Sequence, residues 1–232
     1  MLDYQYAYSL WVLLFLVIWM ILYLARKDVR QEMVIVSLMF GFAGVVTELV
    51  HVRDWWQPLT LTHTSIGIED FLIGFFIGGV ASVIYEELFK KKLKIKKLSK
   101  KQDEIETFRF GIMLTILTII FFFSVLVLNL HSFFALIISL SIALLYVFYK
   151  RKDLIIDSMV SGILMLILGS LTYIIIIYFY PEFIQRFWFL DGQWFAKLVF
   201  GVPMAEFAWW FFAGAFIGPL YAFWKEAKIR RE

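Results

Sequence analysis

Seven apolar runs, each long enough to cross a bilayer, take up most of this chain, and no fold in water could hide all of them. A bilayer core about 30 Å thick needs roughly 17–25 apolar residues per helix. Runs of that length occur near 8–24, 33–50, 66–89, 108–130, 132–149, 154–180 and 199–224. The fourth and fifth are divided only by Asn129, Leu130 and His131, which suits a tight turn or a broken helix equally. The 232 residues are 62% hydrophobic and 18% charged, whereas soluble domains sit nearer half apolar and a quarter charged. The pattern predicts an all-α membrane protein of about seven transmembrane helices, with lipid as its partner and no sizeable soluble domain. The absence of cysteine excludes disulfides, iron–sulfur clusters and thiol catalysis.

The start of the chain, Met1-Leu2-Asp3-Tyr4, carries no positive segment, so the first run reads as a retained helix rather than a signal peptide. Charge then sets the direction. Arg26, Lys27 and Arg30 follow the first run. Lys90, Lys91, Lys92, Lys94, Lys96 and Lys97 follow the third, Lys150, Arg151 and Lys152 the fifth, and Lys225, Lys228, Arg230 and Arg231 the seventh. The other loops hold only Arg53, Arg186 and Lys197. Positive loops stay in the cytoplasm, so the expected location is the cell membrane, multi-pass, with the N-terminus outside and the C-terminus cytoplasmic. The lysine run also suits anionic lipid heads. Nucleic acid is not an expected partner, because no aromatic residues interleave with the run.

Two parts of the chain match without gaps. Arg26-Lys27-Asp28 corresponds to Arg151-Lys152-Asp153, and in that register Gly44 meets Gly169 and Thr47 meets Thr172. Further on, Asp70-Phe71 corresponds to Glu206-Phe207, with Phe75-Phe76 on Phe211-Phe212, Gly78 on Gly214 and Tyr85 on Tyr221. A longer loop before the seventh helix absorbs the change of register. The expected organisation is three-plus-one-plus-three. Residues 1–89 form the first three-helix repeat, 90–131 the basic loop and connector helix, and 132–232 the second repeat. Equivalent helices are four apart, so both halves cross in the same direction, a parallel internal repeat.

Most polar groups gather at the ends expected outside. Thr47, Glu48 and His51 close the second run, with Glu48 and His51 on one helix face. Arg53, Asp54, Trp55 and Trp56 follow, Glu69 and Asp70 open the third run, and Glu206, Trp209 and Trp210 lie early in the seventh. These residues also have plain readings: first-turn acids complement a helix dipole, and tryptophans mark membrane interfaces. Yet acids recur at Asp70 and Glu206, and intramembrane acids are functional by default. Glu206 is expected five to seven residues into its run, about 10 Å deep at 1.5 Å per residue, either neutral or facing a polar bundle interior. Glu86-Glu87 resembles the paired glutamates of intramembrane CAAX-type proteases. No matching histidines follow, so it reads as an interfacial charge pair. Gly74, Gly78, Gly79, Gly214 and Gly218 form small-residue stripes suited to close helix packing. His51, His63 and His131 have no metal-ligand spacing, and no dinucleotide or phosphate loop is present.

The acidic segments resemble those of the integral-membrane lycopene cyclases, a carotenoid cyclase family in which a three-helix unit occurs twice. Fused forms of that family add a connector helix, and a Pro-x-Glu-Glu/Asp-like motif runs into a Phe-rich helix. Here the motif reads Ile66-Gly67-Ile68-Glu69-Asp70-Phe71-Leu72 in the first half and Val202-Pro203-Met204-Ala205-Glu206-Phe207 in the second. Gly67 stands where the family has proline, and Ala205 where the second half would carry its first acid. Arg53-Asp54-Trp55-Trp56 is similar to the aromatic, acidic stretch ahead of the family motif.

The resemblance implies redox-neutral cyclisation of a polyene end group, without cofactor or metal, on an isoprenoid or carotenoid ligand. It implies Glu69, Asp70 and Glu206 as acid and base. Trp55, Trp56, Phe71, Phe207, Trp209 and Trp210 would surround the substrate, where aromatic faces stabilise a cation. Other classes stay open, including a non-catalytic isoprenoid-binding protein and a small transporter with a rhodopsin-like layout. A retinal protein would need a mid-helix lysine in the seventh run, but Lys197 precedes that run and Lys225 follows it. Self-association into a homo-oligomer is also left open.

Overall fold

The structure, a computed structural model, describes residues 3–96, 98–190 and 192–231. Met1, Leu2 and Lys97 lie outside the described residues, as do the side chains of Arg230 and Arg231.

Apolar segments in lipid must satisfy their own backbone groups, and a helix does so within one segment. The long elements are α1 (Ala7–Ala25), α2 (Arg30–Asp54), α3 (Ile68–Leu88), α4 (Lys100–Leu126), α5 (Ser132–Lys150) and α6 (Ile155–Phe179). After the short α7 (Phe183–Phe187), α8 (Met204–Ile217) and α9 (Leu220–Trp224) complete the series. Among the described residues, seven helical stretches are long and apolar enough to cross a membrane, with α8 and α9 counting as one. The fourth and fifth runs are two helices joined by a tight turn. There Asn129 takes a positive φ of 52°, and His131 caps α5 by accepting from Phe133 N at 3.2 Å.

The repeat is visible in backbone detail. After α3, Lys90 is left-handed (φ 46°), and after α9 so is Glu226 (φ 49°). Each residue leads into a strand, β1 (Lys91–Lys94) and β4 (Lys228–Arg231), and the two strands pair antiparallel with Leu93 opposite Ile229. At the other end of the bundle the halves meet again. Trp56 and Trp188 form an antiparallel bridge, Gln57 N donates to Phe187 O at 2.7 Å and Phe189 N to Trp55 O at 2.9 Å. The two halves are thus joined by backbone bonds at both ends.

The basic clusters share one end. Arg26 reaches the Lys91 carbonyl, Lys94 lies opposite Lys228, and Arg151 reaches the Ala227 carbonyl. Hydrogen bonds donated to the Asp28 and Asp153 carboxylates hold the Arg26 and Arg151 guanidiniums above their ordinary range. The connector α4 is fastened to the second half there, by Trp224 stacked on Phe110 at 5.1 Å and Lys225 paired with Asp103 at 3.2 Å. We call this the basic end and the opposite one the aromatic end.

Within each half, α2 packs chiefly on α3 and α6 chiefly on α8. Small residues permit it. A Cβ at Gly74 would overlap the Phe40 carbonyl oxygen, and one at Gly44 would lie 2.6 Å from the Asp70 carbonyl oxygen. Gly78 and Gly214 repeat one contact, since an added Cβ would come 2.6 Å from the Cβ of Phe40 or of Met165 respectively.

Two expectations change. Glu87 is an interfacial ion partner, bonded to Arg26 at 3.0 Å and to Lys90. Glu86 is not: it is buried near Glu32 and Asp157, and both of its oxygens lack a partner. Consecutive residues on a helix point about 100° apart, so one glutamate faces the rim and the other the core. Glu206 is not deep within a helix either. The β2 (Leu198–Val199) and β3 (Val202–Pro203) hairpin, turned by Phe200 and Gly201 with φ of 52° and 82°, occupies the start of the seventh run. Glu206 therefore sits in the first turn of α8, and it is buried there beneath Trp188, Trp55 and Tyr173.

Candidate functional site

A cleft of about 1320 Å³, its open mouth included, lies between the halves near the aromatic end. Its walls are α2 from Phe40 to His51 with Trp55 and Trp56 beyond its end, α3 from Asp70 to Ile77, α5 around Ser139, and the Glu206–Ile217 face of α8. Leu117, Thr118, Phe121 and Phe122 of α4 cover one side. The lining is mostly apolar and aromatic, as expected of a site for a small ligand. Val46 is 40% exposed and Thr118 is also exposed, yet both line the cleft. The cleft therefore reaches the outer surface of the bundle between α2 and α4, and its mouth is there. Val46 and Thr118 each precede the end of their helix by two turns, so the mouth lies about 12 Å below the aromatic end.

Three carboxyls line this cleft: Glu48, Asp70 and Glu206. Glu206 is held by three donors. Its Oε1 accepts from Trp55 Nε1 at 2.8 Å and Trp188 Nε1 at 2.7 Å, and its Oε2 from Tyr173 OH at 2.6 Å. Asp70 accepts from Tyr8 OH at 2.8 Å and, closing a capping box at the start of α3, from Gly67 N at 2.6 Å. Glu48 differs. The Trp56 indole lies beside it and Asp70 is near, but its buried Oε1 has no hydrogen-bond partner. The repeat explains the contrast. In the register that pairs Thr47 with Thr172, Glu48 meets Tyr173, so the second half satisfies its α8 acid with a phenol where the first half sets a second acid. Thr47 and Thr172 behave alike, each hydroxyl donating to the carbonyl three residues back, Gly44 or Gly169.

Aromatic rings close the aromatic end. Tyr8 and Trp56 meet edge to face at 5.1 Å, as do His51 and Trp55 at 5.0 Å, while Trp56 and Trp188 at 5.1 Å and Trp11 and Tyr173 at 4.9 Å are tilted. Of the residues expected from sequence, the cleft gathers Asp70, Glu206, Trp55, Trp56 and Trp209. Glu69, Phe71, Phe207 and Trp210 are not among its lining residues. Glu69 turns toward the loop above α3, where its Oε1 accepts from Leu61 N at 2.8 Å and Ser9 Oγ at 3.2 Å. Phe71 packs on Gly41 and Phe42. Phe207 lies half-buried against the core. Trp210 fills the space over Gly169 and stacks on Phe15 at 5.4 Å. Neighbouring positions on a helix face different ways, so Asp70, Glu206 and Trp209 reach the cleft where Glu69, Phe207 and Trp210 do not.

Sequence reasoning named Glu48 and His51 as sharing a face but left them out of the site, and it missed Tyr8, Trp11, Tyr173 and Trp188. The register match of Tyr173 to Glu48 is the one signal that could have found it. Among the described residues, no three His, Asp or Glu side chains are grouped so as to hold a metal ion. No family model, no curated protein and no solved structure matches the chain.

Proposed function

We propose that this chain is an intramembrane carotenoid cyclase of the lycopene type, in which the cleft receives the end group of a linear polyene from the bilayer. The observation that carries this reading is the convergence of three carboxyls and a wall of aromatic rings on one cleft that opens toward lipid. A polyene dissolves in the bilayer core and needs such a side entrance. In this reading the protein lies in the cell membrane with the aromatic end outside and the basic end in the cytoplasm, following the distribution of Lys and Arg.

The chemistry uses side chains alone. Glu48, the acid with an uncommitted oxygen, delivers a proton to the terminal double bond, and the alkene π pair forms the new C–H bond. The resulting tertiary cation is attacked by the π electrons of a nearby alkene, which closes the ring and moves the positive charge onto a ring carbon. Loss of a neighbouring proton restores an alkene, so the product is an isomer. Asp70 and Glu206 supply fixed negative or dipolar character near the cation, and the faces of Trp55, Trp56 and Trp209 stabilise it. A cleft closed to water protects the cation from capture.

A second reading, isoprenoid binding without turnover, is favoured by the hydrogen bonds that already occupy both oxygens of Asp70 and of Glu206. Expression in cells that accumulate lycopene, followed by pigment chromatography, separates the two. Cyclic carotenes are the expected product. Lycopene bound to the purified protein but unchanged in the cells would favour the second reading and reject the first.

A further inference from the structure

His51 belongs to the cleft wall, one helical turn after Glu48, and is buried. Its Nδ1 lies 3.0 Å from Ser132 Oγ. Ser132 opens α5, and Asp54, the last residue of α2, grips it twice: Ser132 N donates to Oδ2 at 2.8 Å and Ser132 Oγ to Oδ1 at 2.5 Å. Counting protons then fixes the imidazole. Asp54, half-exposed at the aromatic end, accepts in both contacts. The single hydroxyl proton of Ser132 is given to Asp54, so toward His51 this hydroxyl can only accept. Nδ1 must therefore carry a ring proton, and in the neutral imidazole this leaves Nε2 with a bare lone pair. Nε2 has no hydrogen-bond partner among the described residues.

We propose that His51 is the proton acceptor of the cleft, with Asp54 and Ser132 as the positioning residues that hold its tautomer. The proposal rests on the cyclase reading for the identity of the proton it takes. In the closing step the C–H bond beside the cyclic cation breaks, its electron pair becomes the ring alkene, and the proton forms a bond to Nε2. The imidazolium then returns that proton to the Glu48 carboxylate. Residues three apart on a helix have Cβ atoms about 5–6 Å apart, so acid and base are recharged within one turn of α2. The arrangement also separates the roles: Glu48 offers a free oxygen, His51 a free nitrogen, and Asp70 and Glu206 have neither.

The test reads the ring directly. The chain has three histidines, so protein labelled with ¹⁵N-histidine in lipid nanodiscs gives three imidazoles, which His→Gln variants assign. For His51 the expected state is protonated Nδ1 and bare Nε2, with the Nε2 resonance shifting when farnesol is added as a hydroxyl-bearing probe. Ser132→Ala should erase the tautomer preference, while Ser132→Thr, which keeps the hydroxyl, should retain it. A wild-type ring protonated at Nε2, or an Nε2 resonance indifferent to farnesol, overturns the assignment. Neither readout depends on turnover. A wild type that leaves lycopene uncyclised would sink the cyclase reading while the nuclear resonance data still decide the acceptor. Where cyclisation occurs, His51→Gln should lower it about 100-fold or more, the usual worth of a positioned base, with lycopene still bound. Unchanged conversion in that variant would also overturn the proposal.

Discussion

Arg26 and Arg151, 125 residues apart in sequence, share four matching hydrogen bonds, to which Arg26 adds one to Glu87 at 3.0 Å. Each grips the aspartate two residues on with both arms of its guanidinium, Arg26 to Asp28 at 2.9 and 2.8 Å and Arg151 to Asp153 at 2.8 and 2.7 Å. Each then reaches two carbonyls at the end of its repeat. Arg26 takes those of Glu86 and Lys91 at 3.3 and 2.9 Å, and Arg151 those of Ala222 and Ala227 at 3.4 and 2.7 Å. Such a pattern needs the planar, multi-donor fork of arginine. It also makes the triplets Arg26-Lys27-Asp28 and Arg151-Lys152-Asp153 more than topogenic charge, because they lock the strand after each third helix.

Arg26→Lys and Arg151→Lys should therefore destabilise the protein by similar amounts, about 2–3 kcal/mol each, because hydrogen bonds to a charged donor are lost and carbonyls are stranded. Positive charge, and with it the orientation, is preserved in both. Thermal unfolding in micelles checks this. A loss confined to one of the two arginines would show that the equivalence is one of shape and not of energy.

Gly74 sets the distance between α2 and α3. Gly74→Val places carbon where the Phe40 carbonyl lies and should cost about 1–3 kcal/mol as the helices are wedged apart. Gly111 on α4, where an added Cβ meets nothing within 4 Å, is the control. Gly111→Ala should be neutral or stabilising by up to about 1 kcal/mol. Equal effects at the two sites would reject close packing as the reason for glycine at position 74.

The spans and the repeat were legible because each rests on a local signal, apolar length in one case and matching letters in the other. The site was legible only in part. Asp70 and Glu206 stood out as acids in apolar text. Tyr8, Trp11 and Tyr173 lie inside apolar runs, where a ring that faces a neighbouring helix reads the same as one that faces lipid. The depth of Glu206 was misread for a different reason: an apolar run does not reveal that its first residues form a hairpin. The cover over Glu206, including Trp188, comes from a loop whose fold is set by pairing with residues more than a hundred positions earlier, Trp55 to Gln57.

Glu206 and the acids of the basic end should respond differently to neutral substitution. Glu206→Ala would strand the indoles of Trp55 and Trp188 and the phenol of Tyr173 in a buried site and cost about 3–5 kcal/mol. Glu206→Gln should cost far less, since its carbonyl can take both indoles and its amide can donate to the phenol. At the basic end, Glu32 and Glu86 are buried with all four oxygens unpartnered, and Asp157 is beside them. Glu32→Gln replaces one of three crowded carboxyls by an amide, which has no charge to bury, and should be neutral or stabilising. Unfolding of the three variants side by side decides it. A Glu32→Gln protein weaker than Glu206→Ala would mean that the basic-end acids hold the fold together.

The lateral mouth makes the last prediction. If ligand enters from the bilayer, a bulky side chain at the mouth should slow entry without disturbing the fold. Thr118 is suited to this test because it is exposed, lines the cleft, and bonds only back to the Leu114 carbonyl of its own helix at 2.9 Å. Thr118→Phe puts a ring where the gap between α2 and α4 opens and removes no bond between helices. Ile119, the next residue, is 59% exposed and is not among the cleft's lining residues, so Ile119→Phe adds similar bulk to the lipid-facing surface beside the mouth. In cells that accumulate lycopene, Thr118→Phe should retain several-fold less pigment on purification than the wild type, at equal unfolding temperature, and form correspondingly less cyclic product. Ile119→Phe should match the wild type in both. Equal pigment in the two variants would place the entrance elsewhere. The remaining route would be the aromatic end, through the Trp56–Trp188 bridge, where the backbones of the two halves are joined.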